Sequence, residues 1–461
     1  MNVWNRNMSS MEKLSEALDL DMTSCRRIGL VGGGGKTTAL FRLAREALEA
    51  GLRVIITTTT HMKMERGIPL LVDAQPEAVA EALTQSPIVM TGCRDPKNPE
   101  KISGVSEEML QAYEKLANLV LVEADGAKRL PLKAPAGWEP VLPGRFDVVI
   151  GVAGVDAVGK PFADTCFRPE LAAGLLGKNV SDVVVPADLA ELLCHTGGTK
   201  KSVTGSYRIL LNKADGEKAI ACAREVLARI AGREKAAVAS LKEKMVVVLL
   251  AAGNSTRFHG NKLLYPVDGI PMYLHTLEMV RKLPVEILAV TQYEEIQQEM
   301  ESYGIHVIRN DAPEEGISHS IHLGIRNSED ADAWMFVVCD QPYLRAETLE
   351  ALLTCWALSP SRLAAVRCGD REGNPNVFGR RYREELLALS GDRGGRGILK
   401  RHAGQVSWLE VSDERELTDL DTREQEKAMR EKRETEGKKE VESTGKWPGK
   451  KWSIVKVNST L

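Results

Sequence analysis

Eight cysteines are spread along the 461 residues, yet no two form a C-x-x-C pair. Neither a zinc knuckle nor a thioredoxin-like site is therefore indicated. Isolated buried thiols in a reducing compartment are the expectation. A dominant sign of charge is also lacking. The formal net charge is −3, which gives no general attraction to nucleic acid or an anionic membrane surface, so any phosphate must be held by local sites. Long hydrophobic runs are missing too. Met245–Gly253 is among the longest and falls far short of the roughly 20 apolar residues needed to cross a bilayer. The opening residues, MNVWNRNMSSMEKLSE, lack the apolar core of a secretory signal. These features predict a cytoplasmic protein with no nucleic-acid partner and no membrane segment.

What is present is ordinary globular material, 43% apolar and 27% charged, in a chain long enough for two or three domains. Twice the sequence runs from an apolar strand-like segment through a glycine-rich turn into a helical pattern. The first case is RRIGLV followed by GGGGKTTALFRLAREALEAG; the second is MVVVLLAAG followed by NSTRFHGNKLL. In the first, Leu40, Leu43, Ala44, Ala47 and Leu48 recur at helical spacing and Gly51 is placed as a stop. Later apolar runs (VLVEAD, DVVIGVAGV and RILLNKAD, then EILAVT, MFVVCD and RLAAVR) alternate with helical patterns. This is the pattern of parallel sheets covered on both faces. The domains predicted are 25–232 and 245–428, with a lead at 1–24 and a polar linker at 233–244. The stretch 429–461 reads as a solvated, charged tail.

The second glycine turn carries the more specific chemistry. Ala251, Ala252 and Gly253 are small, so a nucleotide can approach the main chain beyond Leu250. Ser255 lies in the same loop, and Arg257 and Lys262 supply two positive charges for a triphosphate. Asp340 follows MFVVC and should emerge at a strand end, where a carboxylate can hold Mg²⁺. Asp419 and Asp421 in LTDLDT offer a second acidic point, and the sequence does not choose between them.

These residues resemble the opening signature L-A-A-G-x-S-x-R-x-G-x-x-K of the MobA/MocA-like nucleotidyltransferases, a branch of the glycosyltransferase-A-like fold. The supporting segments run in the family's order: Leu250–Lys262, Glu314–Ile325, Cys339–Leu344, Gly373–Gly379, Gly391–Arg396 and Asp419–Thr422. One departure is His259, which stands where the family has glycine; the Arg257-to-Lys262 spacing is kept. The resemblance is greatest to the molybdenum cofactor cytidylyltransferases. It implies transfer of CMP from CTP (or GMP from GTP) to molybdopterin or molybdenum cofactor, with Mg²⁺ and release of pyrophosphate. Arg257, Lys262 and Asp340 would then be catalytic. Gly373, Asn374 and Pro375, in an expected turn, and Gly391, Asp392 and Arg393 would surround the acceptor. A sugar-phosphate nucleotidyltransferase and a non-catalytic cofactor chaperone are the alternatives.

The first glycine turn is less regular. Walker A spacing would need glycine at Leu30, and a dinucleotide fingerprint would need it at Thr37. The chemistry is still that of a phosphate loop. Gly32, Gly33, Gly34 and Gly35 are expected to expose backbone N–H groups, Lys36 to reach a phosphate, and Thr37 or Thr38 to meet Mg²⁺. Glu123 and Asp125 fall at a strand end as candidate metal acids, and Asn212, Lys213 and Asp215 form an N-K-x-D pattern. The run Thr57–Thr60 with His61 can serve a phosphate or simply end a strand. With EADGAKRLPLKAPAGWEPVLP, these stretches resemble the YqeC-like family. That resemblance implies an accessory role in maturing selenium-dependent molybdenum hydroxylases, with an apo-hydroxylase as partner. The fold expected is α/β: two three-layer αβα domains, the first P-loop-like and the second glycosyltransferase-A-like.

Overall fold

The computed structural model describes residues 13–254, 258 and 260–425. They fall into two compact units, one holding residues up to 65 together with 69–242, the other holding 66–68 and the chain from 243 onward. The expected charged tail lies outside the described residues. No described helix is long and apolar enough to cross a membrane.

In the first unit the strands are β1 (Arg27–Gly32), β2 (Val54–Thr58), β3 (His61–Lys63), β4 (Leu70–Val72), β5 (Ile88–Arg94), β6 (Lys101–Ser103), β7 (Leu119–Glu123), β8 (Leu132–Lys133), β9 (Val148–Gly154), β10 (Cys166–Phe167), β11 (Ser206–Asn212) and β12 (Lys235–Val238). The helices are α1 (Leu14–Ala17), α2 (Lys36–Glu49), α3 (Pro76–Gln85), α4 (Glu107–Leu116), α5 (Phe162–Thr165), α6 (Pro169–Leu176), α7 (Pro186–Cys194) and α8 (Glu217–Ile230). The main sheet runs β12-β11-β9-β1-β7-β2-β5-β6-β3, with β4 beside β5. From β12 to β5 every pairing is parallel. β1, β2, β7 and β9 are buried at every position, as expected where helices cover both faces. Leu40, Leu43, Ala44 and Ala47 of α2 are fully buried, and Gly51 follows that helix at φ +74°. α3, α6 and α7 each begin with proline, whose missing N–H costs nothing in the first turn.

One expectation is corrected here. Lys235–Val238, within the stretch read as a linker, is the edge strand β12 paired to β11. Four residues, two of them alanine, are too short a run to carry a strand pattern in sequence.

The second unit has strands β13 (Met245–Ala251), β14 (Pro266–Val267), β15 (Ile270–Pro271), β16 (Glu286–Thr291), β17 (His306–Arg309), β18 (Ala333–Val338), β19 (Leu363–Cys368), β20 (Arg371–Gly379) and β21 (Ser407–Glu410). Its helices are α9 (Met272–Val280), α10 (Glu294–Ser302), α11 (Ile317–Arg326), α12 (Ala346–Leu358), α13 (Arg383–Leu387) and α14 (Arg396–Arg401). The main sheet runs β17-β16-β13-β18-β20-β19-β21. β17 to β18 are parallel, and β20 is antiparallel to both neighbours. Alternate β13 residues feed two cores. Val247, Leu249 and Ala251 join α9, α10 and α12, while Val246 and Val248 join α11 and α14, giving three layers. Gly324 lets α11 lie close on the sheet, since a Cβ there would meet Val248 at 2.6 Å. Strand order reverses at β13, with β16 on one side and β18 on the other. Ligands of parallel sheets bind outside the strand carboxyl ends at such a point.

Candidate active site

The second unit brings its chemistry to that reversal. β13 and β18 run in register from Met245 opposite Ala333 to Leu250 opposite Val338, so the residues after each strand emerge side by side. Lys262 Nζ lies 2.6 Å from Asp340 Oδ2 and 3.0 Å from Asp421 Oδ1. Burial alone would lower the Lys262 pKa, but Asp340 and then Asp421 outweigh it and hold the ammonium above the usual lysine range. The chain after β21 is drawn to this point by the Leu420 N–H, which donates to the Asp340 carbonyl at 3.0 Å.

The two aspartates that the sequence left open are separated by their partners. Asp421 meets Lys262, whereas Asp419 Oδ1 accepts from Gln341 Nε2 at 2.8 Å. Burial first, then the Asp340 charge, pushes the Asp419 carboxyl up. Asp340 Oδ1 is buried with no hydrogen-bond partner, an arrangement that costs free energy unless a cation or donor completes it.

Beside these charges lies a cavity of ≈ 370 Å³ lined by Leu250, Ala252, Gly253 and Asn254, by the start of α11 at Gly316–Ile317, and by Asp392. Ala251 is fully buried in the sheet. Ser255, Arg257 and His259 lie outside the described residues. Gly391 sits against the α11 start, its carbonyl accepting from the Ser318 N–H at 3.2 Å; Arg393 is exposed. Gly373, Asn374 and Pro375, expected in a turn, are part of β20, and Gly373 packs on Leu417. They fall where the β19–β20 register shifts, between the pairs Ala365–Asn376 and Arg367–Glu372, so the turn-forming residue types mark an irregularity inside a strand rather than a turn. An aromatic group without a sequence motif also stands at the loop, where Phe258 and Tyr265 meet edge to face at 5.1 Å and Arg423 lies over both rings.

In the first unit Gly32–Gly35 join β1 to α2, and Gly35 opens the helix at φ +117°. The expectation of four open amides is corrected. Gly32 N–H donates to the Asp125 carboxylate at 3.0 Å. Gly33 N–H donates to the Val152 carbonyl at 2.8 Å and Gly34 N–H to the Leu130 carbonyl at 3.0 Å. Neighbouring loops thus use the donors that composition alone had assigned to phosphate. Lys36 folds back, with Nζ 2.5 Å from the Gly32 carbonyl and 3.1 Å from Asp125. Thr37 Oγ1 donates to Glu123 at 2.9 Å, while Thr38 is exposed. Burial raises the Glu123 pKa despite Lys36 and the Thr37 hydroxyl.

The N-K-x-D residues are bound up in the fold. Asn212 Nδ2 donates to the Gly34 carbonyl at 2.8 Å and its Oδ1 accepts from the Leu241 N–H. Lys213 pairs with Asp156, and Asp215 accepts from Ser240. Of the threonine run, Thr58 and Thr59 hydroxyls donate to the carbonyls of Glu123 and Val141, and His61 meets Asp95. Lys133, Glu139 and Arg168 were missed as charges of this site. Asp125 pairs with Lys133, Lys133 with Glu139, and Glu139 with Arg168. The first two lie in the stretch quoted above; Arg168 gives no local signal.

A mixed sheet whose parallel strands reverse order beside a lysine, two carboxylates and a small-residue loop around a cavity is the arrangement expected of a nucleotide-using α/β enzyme. Residues 28–170 match the family described as YqeC protein, and residues 247–406 match the MobA-like NTP transferase domain. The chain is similar to YqeC of Escherichia coli (strain K12), with 34% identity over 42% of this chain and 78% of that one. It is also similar to the purine catabolism protein PucB of Bacillus subtilis (strain 168), with 30% identity over 39% of this chain and 93% of that one. A shorter likeness, 44% identity over 14% of this chain and 33% of the relative, is to a "Probable molybdenum cofactor guanylyltransferase" of Thermococcus sibiricus. The chain belongs to the YqeC family through its first domain and to the MobA-like NTP transferases through its second. The second domain is a nucleotidyltransferase.

Proposed function

We propose that the second domain transfers CMP from CTP to molybdopterin or molybdenum cofactor, releasing pyrophosphate. The observation that carries the reading is Lys262, gripped by Asp340 and Asp421 beside the Ala252–Asn254 cavity. A triphosphate entering there competes with both carboxylates for the ammonium. Once Lys262 turns to the phosphates, Asp340 and Asp421 are left facing one another and can hold a divalent cation. Mg²⁺ needs only one or two protein carboxylates when phosphates complete its shell, and the unpartnered Asp340 Oδ1 suits it. Bound there, the ion would neutralise phosphate charge and polarise the α-phosphate.

The chain's own groups supply alignment. The small loop residues allow close approach to the phosphates, and Lys262 and Arg257 offset the charge on the departing pyrophosphate. An acceptor phosphate oxygen forms the new bond to the α-phosphorus as the bond to the β-phosphate oxygen breaks. The acceptor is already ionised at neutral pH, so no covalent protein intermediate is needed. Asp392, which lines the cavity beside the α11 start, would face the acceptor.

For the first domain we propose P-loop-like nucleotide binding at the start of α2. Lys36 would leave Asp125 for a phosphate, and Thr37 with Glu123 would hold a cation. Its role would be accessory, in delivering finished cofactor to a molybdenum hydroxylase, selenium-dependent in the YqeC setting. Similarity to a purine catabolism protein favours a client in that chemistry. Guanylyl transfer is the second reading, favoured by the name of the Thermococcus relative. Purified protein with Mg²⁺ and molybdopterin is given each nucleotide while pyrophosphate is followed. Release with CTP supports the first reading and release with GTP the second. Binding of both ligands without release would overturn transfer and leave a carrier.

A further inference from the structure

At the end of β16, three consecutive side chains reach three consecutive carbonyls of the β13 loop. Thr291 Oγ1 donates to the Ala251 carbonyl at 2.9 Å, and Gln292 Nε2 donates to the Ala252 carbonyl at 2.9 Å. Tyr293 OH donates to the Gly253 carbonyl at 2.6 Å. Gln292 also bonds Asn254 Oδ1 at 2.9 Å, and the Thr291 hydroxyl accepts from the Tyr293 N–H at 3.1 Å. Nothing in the resemblance to known families pointed to these residues.

A planar trans peptide holds each C=O opposite the following N–H. Fixing the carbonyls of residues 251, 252 and 253 toward β16 therefore turns the N–H groups of Ala252, Gly253 and Asn254 the other way. Ala252, Gly253 and Asn254 line the cavity. A loop with no side chain larger than methyl at residues 251–253 has little packing to define its peptide planes, and glycine least of all. Side-chain donors from a rigid neighbouring strand can supply that definition. Thr291 is fully buried, so its hydroxyl is committed to this contact rather than to water.

We infer that Thr291, Gln292 and Tyr293 are positioning residues that aim the main-chain amides of the 252–254 loop at the nucleotide's phosphates. The inference rests on nucleotide binding at this cavity, as proposed above. Its energetic logic is preorganisation: amides fixed before binding lose no freedom when the phosphate arrives.

The test uses Thr291→Val, which keeps shape and removes the donor, Thr291→Ser, which restores it, and Tyr293→Phe. Pyrophosphate release by the full chain is measured against nucleotide and against molybdopterin. Thr291→Val and Tyr293→Phe should each raise the nucleotide KM about tenfold, leave the molybdopterin KM unchanged, and Thr291→Ser should recover the wild-type value. A lower melting temperature with an unchanged nucleotide KM would make the contacts merely structural and overturn the inference, leaving the transferase reading intact. Absence of release by wild type with every nucleotide would overturn that reading first, and the loop's role with it.

Discussion

The Lys262 ammonium lies 2.6 Å from Asp340 and 3.0 Å from Asp421, between two carboxylates on separate loops. Two acids this close to one cation repel each other once it leaves, which favours a metal ion or a proton in its place. Lys262→Met removes the resident charge. Manganese, followed by electron paramagnetic resonance, should bind the variant without nucleotide at least about tenfold more tightly than wild type, an opposing charge at this range being worth over 1 kcal/mol. Nucleotide affinity should fall by a similar factor through loss of a phosphate contact. Equal manganese binding would mean that Lys262 does not occupy the cation position.

Asp421 and Asp419 should part company on mutation. Asp421→Asn should lower turnover about 100-fold with little change in melting temperature, the scale expected for one electrostatic group at a transferring phosphate. Asp419→Asn keeps an oxygen for Gln341 and should retain turnover within about threefold, since it leaves the Lys262 cluster intact. The reverse ranking in a steady-state assay would exchange their roles.

Glu416 gives a stability test away from the site. Its carboxylate accepts from the Thr348 hydroxyl and pairs with Arg345, yet burial raises its pKa. A carboxyl raised on folding favours the folded state below its unfolded pKa of about 4.3 and loses that contribution as pH climbs through the folded value. Glu416→Gln, which keeps an acceptor for Thr348, should therefore melt higher than wild type at neutral pH. The gap should close as the medium is acidified. A gap that widens on acidification would contradict the assignment.

In the first domain, Gly34→Ala should be costly. The residue has φ +70°, and an added Cβ would meet the Gly154 N at 2.1 Å. Backbone strain alone predicts a loss of about 1–3 kcal/mol in denaturant unfolding. Lys36→Ala, by contrast, should weaken nucleotide binding to this domain about tenfold or more, because the amides of Gly32, Gly33 and Gly34 are already engaged. Unchanged affinity at this site in calorimetry, with the second site weakened by Lys262→Met so that the two binding events separate, would leave the glycines a purely structural turn.

Both α/β units were legible because buried parallel strands read as unbroken apolar runs, and six ordered segments named the family of the second. The neighbourhood of Lys262 and Asp340 was legible for the same reason, since β13 and β18 place the following residues together. What stayed hidden was set by partners distant in sequence. Asp419 and Asp421 have the same local context until Gln341 and Lys262 are seen. The glycine amides read as open because nothing nearby in sequence announces the carbonyls of Leu130 and Val152. Gly373–Pro375 read as a turn because a strand irregularity uses the same residue types as a turn. Thr291, Gln292 and Tyr293 carry no motif at all.

In the proposed transfer, the carboxylate at residue 340 is the group on which metal and triphosphate binding both depend. Pyrophosphate release by Asp340→Ala, with Mg²⁺, molybdopterin and the nucleotide that wild type uses, should fall at least about 100-fold, while the melting temperature stays near that of wild type. Turnover at the wild-type rate would contradict it.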